Sequence, residues 1–346
     1  MPKHTSIIVV AYNSRAHLKP CLDSILANMG PDDEVIVVDN ASSDGSADLV
    51  ERDYPQVKLV RNANNGYAGG NNLGAAYARG DYLVFLNPDT VVMSDALAAL
   101  TAPFAQSSDV GLTTACIVHL REPEIINTCG NTVHYTGLTY CRGAGMPRDS
   151  YTISTEVDAV SGAAFAMRRS LFEAIGGFDE QFFLYVEDTD LSWRAQLMDY
   201  RCLYVAQAVV QHDYELSYSP TKAFYLDRNR HVMLIKNLER RSYVRLLPGL
   251  LLAELVTWGF LLLKGPHYWG VKLKVYRWLW RERAMLRNKR CMVQACRRRR
   301  DREFLSQLTY RLEFGQFANR WVALGAALIF HPGFRAAQLL LIGGNS

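Results

Sequence analysis

Export signals and metal-cluster spacings are missing from this chain. Its seven cysteines, at 21, 116, 129, 141, 202, 291 and 296, are odd in number and scattered, with no Cys-x-x-Cys pair and no Cys/His ligand spacing. Such scatter predicts a reduced, cytosolic compartment. Ahead of the strand-like run 6–11 there is neither a charged leader of useful length nor a small-residue cleavage site, so no export signal is expected. Long apolar runs are scarce too. Residues 246–263 include Pro248, Gly249 and Glu254, and 321–342 is broken by His331, Pro332, Gly333 and Arg335. Charged residues make up 21% against 49% hydrophobic, which excludes disorder and describes a globular chain with some excess of apolar surface. Acids are rare in one region: 264–320 has 16 Lys and Arg against 4 Asp and Glu, a balance of +12 in a chain of +4, leaving −8 elsewhere. The acidic body suits metal and neutral-sugar chemistry, and the basic tail suits phosphate, lipid headgroups or nucleic acid.

What is present is a series of short β-branched runs alternating with helical patterns. Residues 6–11 read as a central parallel strand, and Leu18, Cys21, Leu22, Ile25 and Leu26 recur at helical steps behind an Asn13 or Ser14 cap. Residues 34–38 form the next strand, ending at Asp39-Asn40, then a turn at 42–45 and a short helix at 47–51; 57–60 is a third strand. Residues 62–72 read as a glycine- and amide-rich loop before a small-residue helix at 73–78. That loop has neither the Gly-x-Gly-x-x-Gly spacing nor a Gly-Lys-Ser/Thr ending, so alone it is as readily a plain connection as a ligand loop. The strand 82–86 runs into Asn87-Pro88-Asp89, where proline ends the ladder. The alternation predicts an α/β fold with a doubly wound sheet, and ligands of such sheets sit outside the carboxyl ends of the strands. Asn13, Asp39 and Asp89 stand at such ends. Asp39 can accept from a base N–H or ribose hydroxyl, Asn13 can contact base or ribose, and the glycines would let backbone approach sugar or phosphate.

Four stretches in order, Ser-Ile-Ile-Val-Val-Ala-Tyr-Asn, Val-Val-Asp-Asn-Ala-Ser-Ser-Asp-Gly-Ser, Asn-Asn-Gly-Tyr-Ala-Gly-Gly-Asn-Asn and Phe-Leu-Asn-Pro-Asp, resemble glycosyltransferase family 2, and more narrowly its bacterial rhamnosyltransferase-type members. The resemblance covers roughly the first two thirds of the chain. It implies a GT-A fold, a doubly wound and mostly parallel sheet with helices on both faces, followed here by a C-terminal helical, membrane-associating tail. It also implies inverting transfer from a nucleotide-diphosphate sugar. Nucleotide-sugar contacts are then expected at Ala11, Tyr12, Asn13, Asp39, Gly69, Gly70, Asn71, Asn87 and Arg228. The family's usual Asp-x-Asp metal motif stands here as Asn87-Pro88-Asp89, so one carboxylate is missing, and a hard cation needs further oxygen or nitrogen ligands.

A carboxylate run opening a helix, Glu187-Asp188-Thr189-Asp190, is ordinarily a cap and dipole complement. Behind Gly176-Gly177-Phe178-Asp179-Glu180 it resembles the family's acidic catalytic motif, which implies Asp188 as general base, Glu187 as its second and Asp190 as a capping or orienting group. A lone histidine ending a strand is usually structural. His212, which closes 208–212, matches the place of the family's metal-binding histidine, so Asp89 and His212 are the expected ligands of Mg²⁺ or Mn²⁺. Arg228 is either a partner of the diphosphate or a surface arginine on a helix. Residues 109–160 are irregular and read as an acceptor-side insertion.

The expected organisation is a catalytic domain over 1–230, with a nucleotide-sugar half to about 108 and an acceptor half beyond it, then a helical region over 231–346. In the tail, basic residues flank 246–263 on both sides and Glu254 stands inside it. That favours a peripheral or re-entrant helix at an anionic cytoplasmic membrane surface, with packing on the catalytic domain or in a homo-oligomer as the alternative. Residues 321–342 read as two short helices. Arg297 to Arg300 match no nucleic-acid reading element, so no nucleic acid is expected. The resemblance favours dTDP-L-rhamnose as donor, a UDP-sugar next, and a lipid-linked glycan acceptor of cell-envelope synthesis at the cytoplasmic face of the inner membrane. A non-catalytic nucleotide-sugar-binding or scaffold protein is the rival reading.

Overall fold

The β-branched run at the start forms β1 (Thr5–Ala11), and the chain then alternates: α1 (Arg15–Asn28), β2 (Glu34–Asn40), α2 (Ser46–Asp53), β3 (Lys58–Asn62), α3 (Gly66–Tyr77), β4 (Tyr82–Leu86). A short β5 (Thr90–Val92), α4 (Ala96–Gln106) and β6 (Val110–His119) follow, then β7 (Ile126–Thr128), β8 (Asn131–Val133), β9 (Thr139–Cys141) and β10 (Thr155–Glu156). The sheet-containing part ends with β11 (Ala164–Arg168), α5 (Arg169–Ala174), α6 (Glu187–Leu197) and β12 (Arg201–His212). The remainder is helical: α7 (Pro220–Asn237), α8 (Arg240–Lys264), α9 (Pro266–Trp269), α10 (Val271–Arg281), α11 (Arg283–Cys296), α12 (Asp301–Gln307) and α13 (Arg320–Gly343). The computed structural model describes residues 4–214, 217–316 and 320–343. Two units are distinguished: 1–131, 141–195 and 200–216 make the first, and 132–140, 196–199 and 217–346 the second.

In the first unit the main sheet has the order β10-β12-β6-β11-β4-β1-β2-β3, with β5 on β12 and β7 on β6. β3, β2, β1 and β4 are parallel neighbours, β11 is antiparallel to both β4 and β6, and β12 is parallel to β6. Side chains alternate across a strand, and the two faces are served by different helices. Ile7, Val9, Val35 and Val37 share a core with Leu18, Leu22 and Ile25 of α1. The other face takes α3 at close range: a Cβ on Gly70 would lie 2.7 Å from Val10, and one on Gly74 2.5 Å from Ile8.

Three readings are corrected. The glycine- and amide-rich stretch is not a loop to residue 72, because α3 begins at Gly66 and its small residues are what let the helix lie on the sheet. The irregular 109–160 stretch holds β6, a central strand; buried on both faces, it shows no alternation, and its buried Thr113 and Thr114 donate to the Leu100 and Ala164 carbonyls. In the second unit the segment from 320 is one helix, α13, although Pro332 lies inside it. Tertiary packing holds it through the proline, since the Tyr135 hydroxyl donates to the Phe334 carbonyl at 3.0 Å and the His134 and Tyr135 rings lie edge-on to Phe334.

Candidate active site

The parallel strands β1, β2 and β4 all point their carboxyl ends to one edge. β11, running the other way from Ala164 opposite Leu86, begins at that edge. β12 ends there as well, with His212 opposite Thr90 of β5 and His119 of β6. Asn13, Asp39, Asp89, Gly162 and His212 are therefore brought to the same edge by topology alone. The acidic motif is tied to it by Asp188, whose Oδ2 accepts the Gly162 N–H at 2.8 Å.

Asp89 and His212 form the most telling pair. Asp89 Oδ1 lies 3.2 Å from His212 Nε2, yet both are buried atoms without a hydrogen-bond partner, so their alignment is not that of a hydrogen bond. On the far side of the ring, Nδ1 meets Asn127 Oδ1 at 3.1 Å. An amide oxygen there calls for the proton on Nδ1, which leaves a lone pair on Nε2 facing the carboxylate. Two lone pairs held face to face are repulsive unless a proton or a metal cation lies between them. This donor set, one carboxylate oxygen and one imidazole nitrogen with its outer nitrogen anchored, fits a divalent metal. Asn127 escaped the sequence reading because nothing in its irregular surroundings marks it. Asp89 is fixed through its backbone, which accepts from the Asp213 N–H at 3.0 Å, while the Asn87 N–H bonds the Ala163 carbonyl at 3.0 Å.

The acidic pair divides its labour by environment. Asp188 accepts from the Gly162 and Thr189 N–H groups, from the Asn131 amide at 3.2 Å and from the Thr189 hydroxyl at 3.3 Å. Glu187 is buried and its Oε2 has no partner. Burial and the neighbouring Asp188 push the Glu187 carboxyl well above its ordinary range, and burial raises Asp188 as well. Of the two, Glu187 holds the shared proton and Asp188, with four donors, carries the charge. Asp190 is fully buried and paired with Arg194 at 2.8 Å. The backbone leading into the pair is contorted, with Phe183, Tyr185 and Val186 at φ 62°, 68° and 71°. Left-handed conformation at a β-branched residue such as Val186 is held by its surroundings rather than by preference.

At the end of β2, Asp39 is buried; Oδ2 accepts from the Ser42 N–H at 3.3 Å and Oδ1 has no partner. A buried acceptor without a donor at a strand end is a waiting contact. Asn13, at φ 49°, spends its side-chain oxygen on the Ser43 N–H at 2.8 Å, so it shapes the strand-end turn. Ala11 ends β1 in register with Asp39, and Tyr12 is exposed. Gly69, Gly70 and Asn71 are buried within α3. A Cβ on Gly69 would meet Asn65, and the Asn71 amide donates to the Tyr67 carbonyl of its own helix, so these three serve helix packing. Tyr67 and Asn72, which the sequence reading passed over, join α3 to the acidic side: the Tyr67 hydroxyl donates to the Gly162 carbonyl at 2.6 Å, and Asn72 bonds both N–H and carbonyl of Phe178.

Arg228 belongs to the second unit and is not a surface arginine. It is buried, its guanidinium over the Phe224, Tyr225 and Trp278 rings and bonded to Asn229. The same unit holds Asp227, His231 and Glu254, with ligand-type atoms within 4.8 Å of one another. Arg230 and Lys272 already supply the positive charge there: Lys272 Nζ lies 2.8 Å from both carboxylates, and Arg230 bonds both. This cluster is a neutralised ion network.

The chain is similar to known relatives and solved structures. Over 267 residues, the chain is 27% identical to the rhamnosyltransferase WbbL of Escherichia coli K12, covering 69% of this chain and 98% of that protein. It is 25% identical over 209 residues to the poly-beta-1,6-N-acetyl-D-glucosamine synthase of Staphylococcus epidermidis, covering 59% of this chain. The chain spans about half the length of that relative, 48%. The structure of S. aureus TarS 1–349 in complex with UDP-GlcNAc superposes with a TM-score of 0.52 at 18% identity, over 96% of this chain and 90% of that one. GalNAc-T7 with UDP, GalNAc and Mn²⁺ superposes with a TM-score of 0.54 at 20% identity, over 66% of this chain and 48% of that one. Both likenesses show the fold. Residues 6–176 match the model of Glycosyl transferase family 2, and the chain is a member of that family.

Proposed function

We propose that this protein transfers a sugar, with inversion, from a nucleotide-diphosphate donor to a hydroxyl of a glycan or lipid-linked acceptor in cell-envelope polysaccharide synthesis. The observation that carries the reading is the 3.2 Å approach of Asp89 Oδ1 and His212 Nε2, neither with a hydrogen-bond partner, at the same sheet edge as Asp188. Asp39 Oδ1 accepts from the nucleobase or ribose. Asp89 and His212 hold Mg²⁺ or Mn²⁺, which when bound neutralises the charge of the departing nucleoside diphosphate. Asp188 takes the acceptor hydroxyl proton as the new C–O bond forms and the bond from sugar to phosphate breaks. A single in-line displacement of this kind inverts the anomeric centre. Glu187, protonated, keeps a second negative charge away from the base.

The likeness to WbbL over nearly all of that protein's length favours L-rhamnose from dTDP-L-rhamnose, with a UDP-sugar as the next candidate. Thermal-shift titration of the purified chain with dTDP-L-rhamnose and UDP-sugars, with and without Mn²⁺, tests the donor. A ligand that binds the native state raises its melting temperature by mass action, and the Mn²⁺-dependent shift should vanish in Asp89→Ala. Asp188→Asn should keep the donor shift and lose about 10²- to 10⁴-fold in turnover. Undiminished turnover in that variant would remove Asp188 from the mechanism.

A further inference from the structure

Glu254 stands midway along α8, a helix whose length and composition would suit a membrane crossing, with a mean hydropathy of 2.0 over its most apolar window. Its carboxylate is engaged by the helices beneath. It bonds Arg230 of α7, Lys272 Nζ of α10 at 2.8 Å and the Tyr276 hydroxyl, with His231 Nε2 at 3.1 Å. Asp227 completes the set, 2.8 Å from Lys272 and 3.0 Å from Arg230. With His231 neutral, two cations balance two anions. Arg230 and Lys272 are each at most 2% exposed. A crossing by α8 would carry α7 and α10 into hydrocarbon with it, and with them buried Arg228, Lys236 and this network.

The opposite side of α8 has no such partners. Val244, Leu247, Leu251, Leu255 and Leu262, at steps of three, four, four and seven, form one exposed stripe, whereas Leu246, Gly249, Leu250, Ala253 and Leu261 are buried. α13 packs on α8, a Cβ on its Gly333 falling 3.1 Å from Leu252, and it repeats the division. Trp321, Leu324, Leu328 and Leu339 are exposed, while Phe334, Ala337 and Leu341 are buried. Of the most apolar windows, only 28% of α8 and 22% of α13 are buried. Charge says what covers them. Arg240, Arg241 and Arg245 are exposed at one end of α8 and Lys264 at the other, and Lys274, Arg277 and Arg281 are exposed on α10 beside Trp280. Cations at both ends of an apolar helix fit a surface that is apolar inside and anionic outside, and they are a poor fit to a span with one end on each side.

We propose that α8 and α13 lie in the plane of an anionic bilayer, with their exposed stripes sunk into it, the inner face of α8 held by the Glu254 network and that of α13 by Tyr135 and His134 against Phe334, and that neither helix crosses it. This rests on the second unit alone and does not require the transfer reaction. The full chain should co-float with phosphatidylglycerol/phosphatidylcholine vesicles and bind phosphatidylcholine vesicles about tenfold or more weakly. Alkaline carbonate should release it, as it does a peripheral protein. Leu251→Asp with Leu328→Asp, both on exposed positions, should abolish flotation without moving the melting temperature, and Leu251→Ser with Leu328→Ser should weaken it to a lesser degree. Carbonate-resistant binding would mean that a helix spans, and would overturn the proposal. So would absence of flotation, or flotation that survives both substitution pairs. A dimer by light scattering in lipid-free buffer that the Asp pair dissociates, with vesicle binding intact, would assign the stripes to a second copy and likewise overturn it.

Discussion

Asn127 does its work through a proton it does not own. In the proposed metal site its amide oxygen holds the His212 hydrogen on Nδ1, which would leave Nε2 to serve as a ligand beside Asp89. Asn127→Leu should therefore weaken Mn²⁺ binding by about 10- to 100-fold in calorimetry of the donor-free protein, with the fold retained. An unchanged affinity would separate Asn127 from the metal site. At Glu187 the test is the pH dependence of stability. Its carboxyl is raised above its unfolded value, so its contribution is full below the ordinary carboxylate range and lost as pH rises through the raised value. Glu187→Gln lacks that loss. The melting temperature of the variant should gain on that of the parent as pH rises above the ordinary carboxylate range. Asp89, His212 and the acidic pair were legible in the chain because each stands next to a strand end or opens a helix within a motif. Asn127, Asn131 and Gly162 were not, because each meets its partner, His212 or Asp188, only once segments far apart in sequence have folded together.

Among the elements, α3 shows how a composition can be read correctly and its purpose missed. Four glycines and several amides in a dozen residues do announce close approach, but what approaches is β1 and β2. Periodicity was no help, since a helix that buries glycines leaves no apolar stripe to count. Gly74→Ala places a Cβ 2.5 Å from Ile8 and 3.3 Å from Val38, and should destabilise by about 1–3 kcal/mol despite alanine's better helix propensity. Gly259→Ala in α8 meets nothing within 4 Å and should be neutral or stabilise by about 0.5–1 kcal/mol. Urea denaturation of the pair tests the contrast. The prolines of α8 and α13 taught the opposite lesson: breakers visible in sequence were overridden by packing visible only in the fold.

For the molecule as a whole, charge is arranged on two principles. In the first unit acidic groups gather at one sheet edge; in the second a balanced network is buried around Glu254 while an excess of cations stays exposed. Glu254→Gln would leave Arg230 and Lys272 with one anion between them, a loss of about 3–5 kcal/mol for a broken buried network. Denaturant unfolding should find that loss in the second unit while nucleotide-sugar thermal shifts persist. The candidate site at the sheet edge has a corresponding seam. The Phe183 carbonyl accepts the Tyr67 N–H at 2.8 Å and lies 2.3 Å from where a Gly66 Cβ would stand, so the start of α3 and the contorted approach to Glu187 share one backbone contact. Neither side can loosen without the other. In hydrogen-exchange terms the Tyr67 and Thr189 amides should open as one cooperative unit, so that occupying the nucleotide side slows exchange at the acid side before any acceptor arrives.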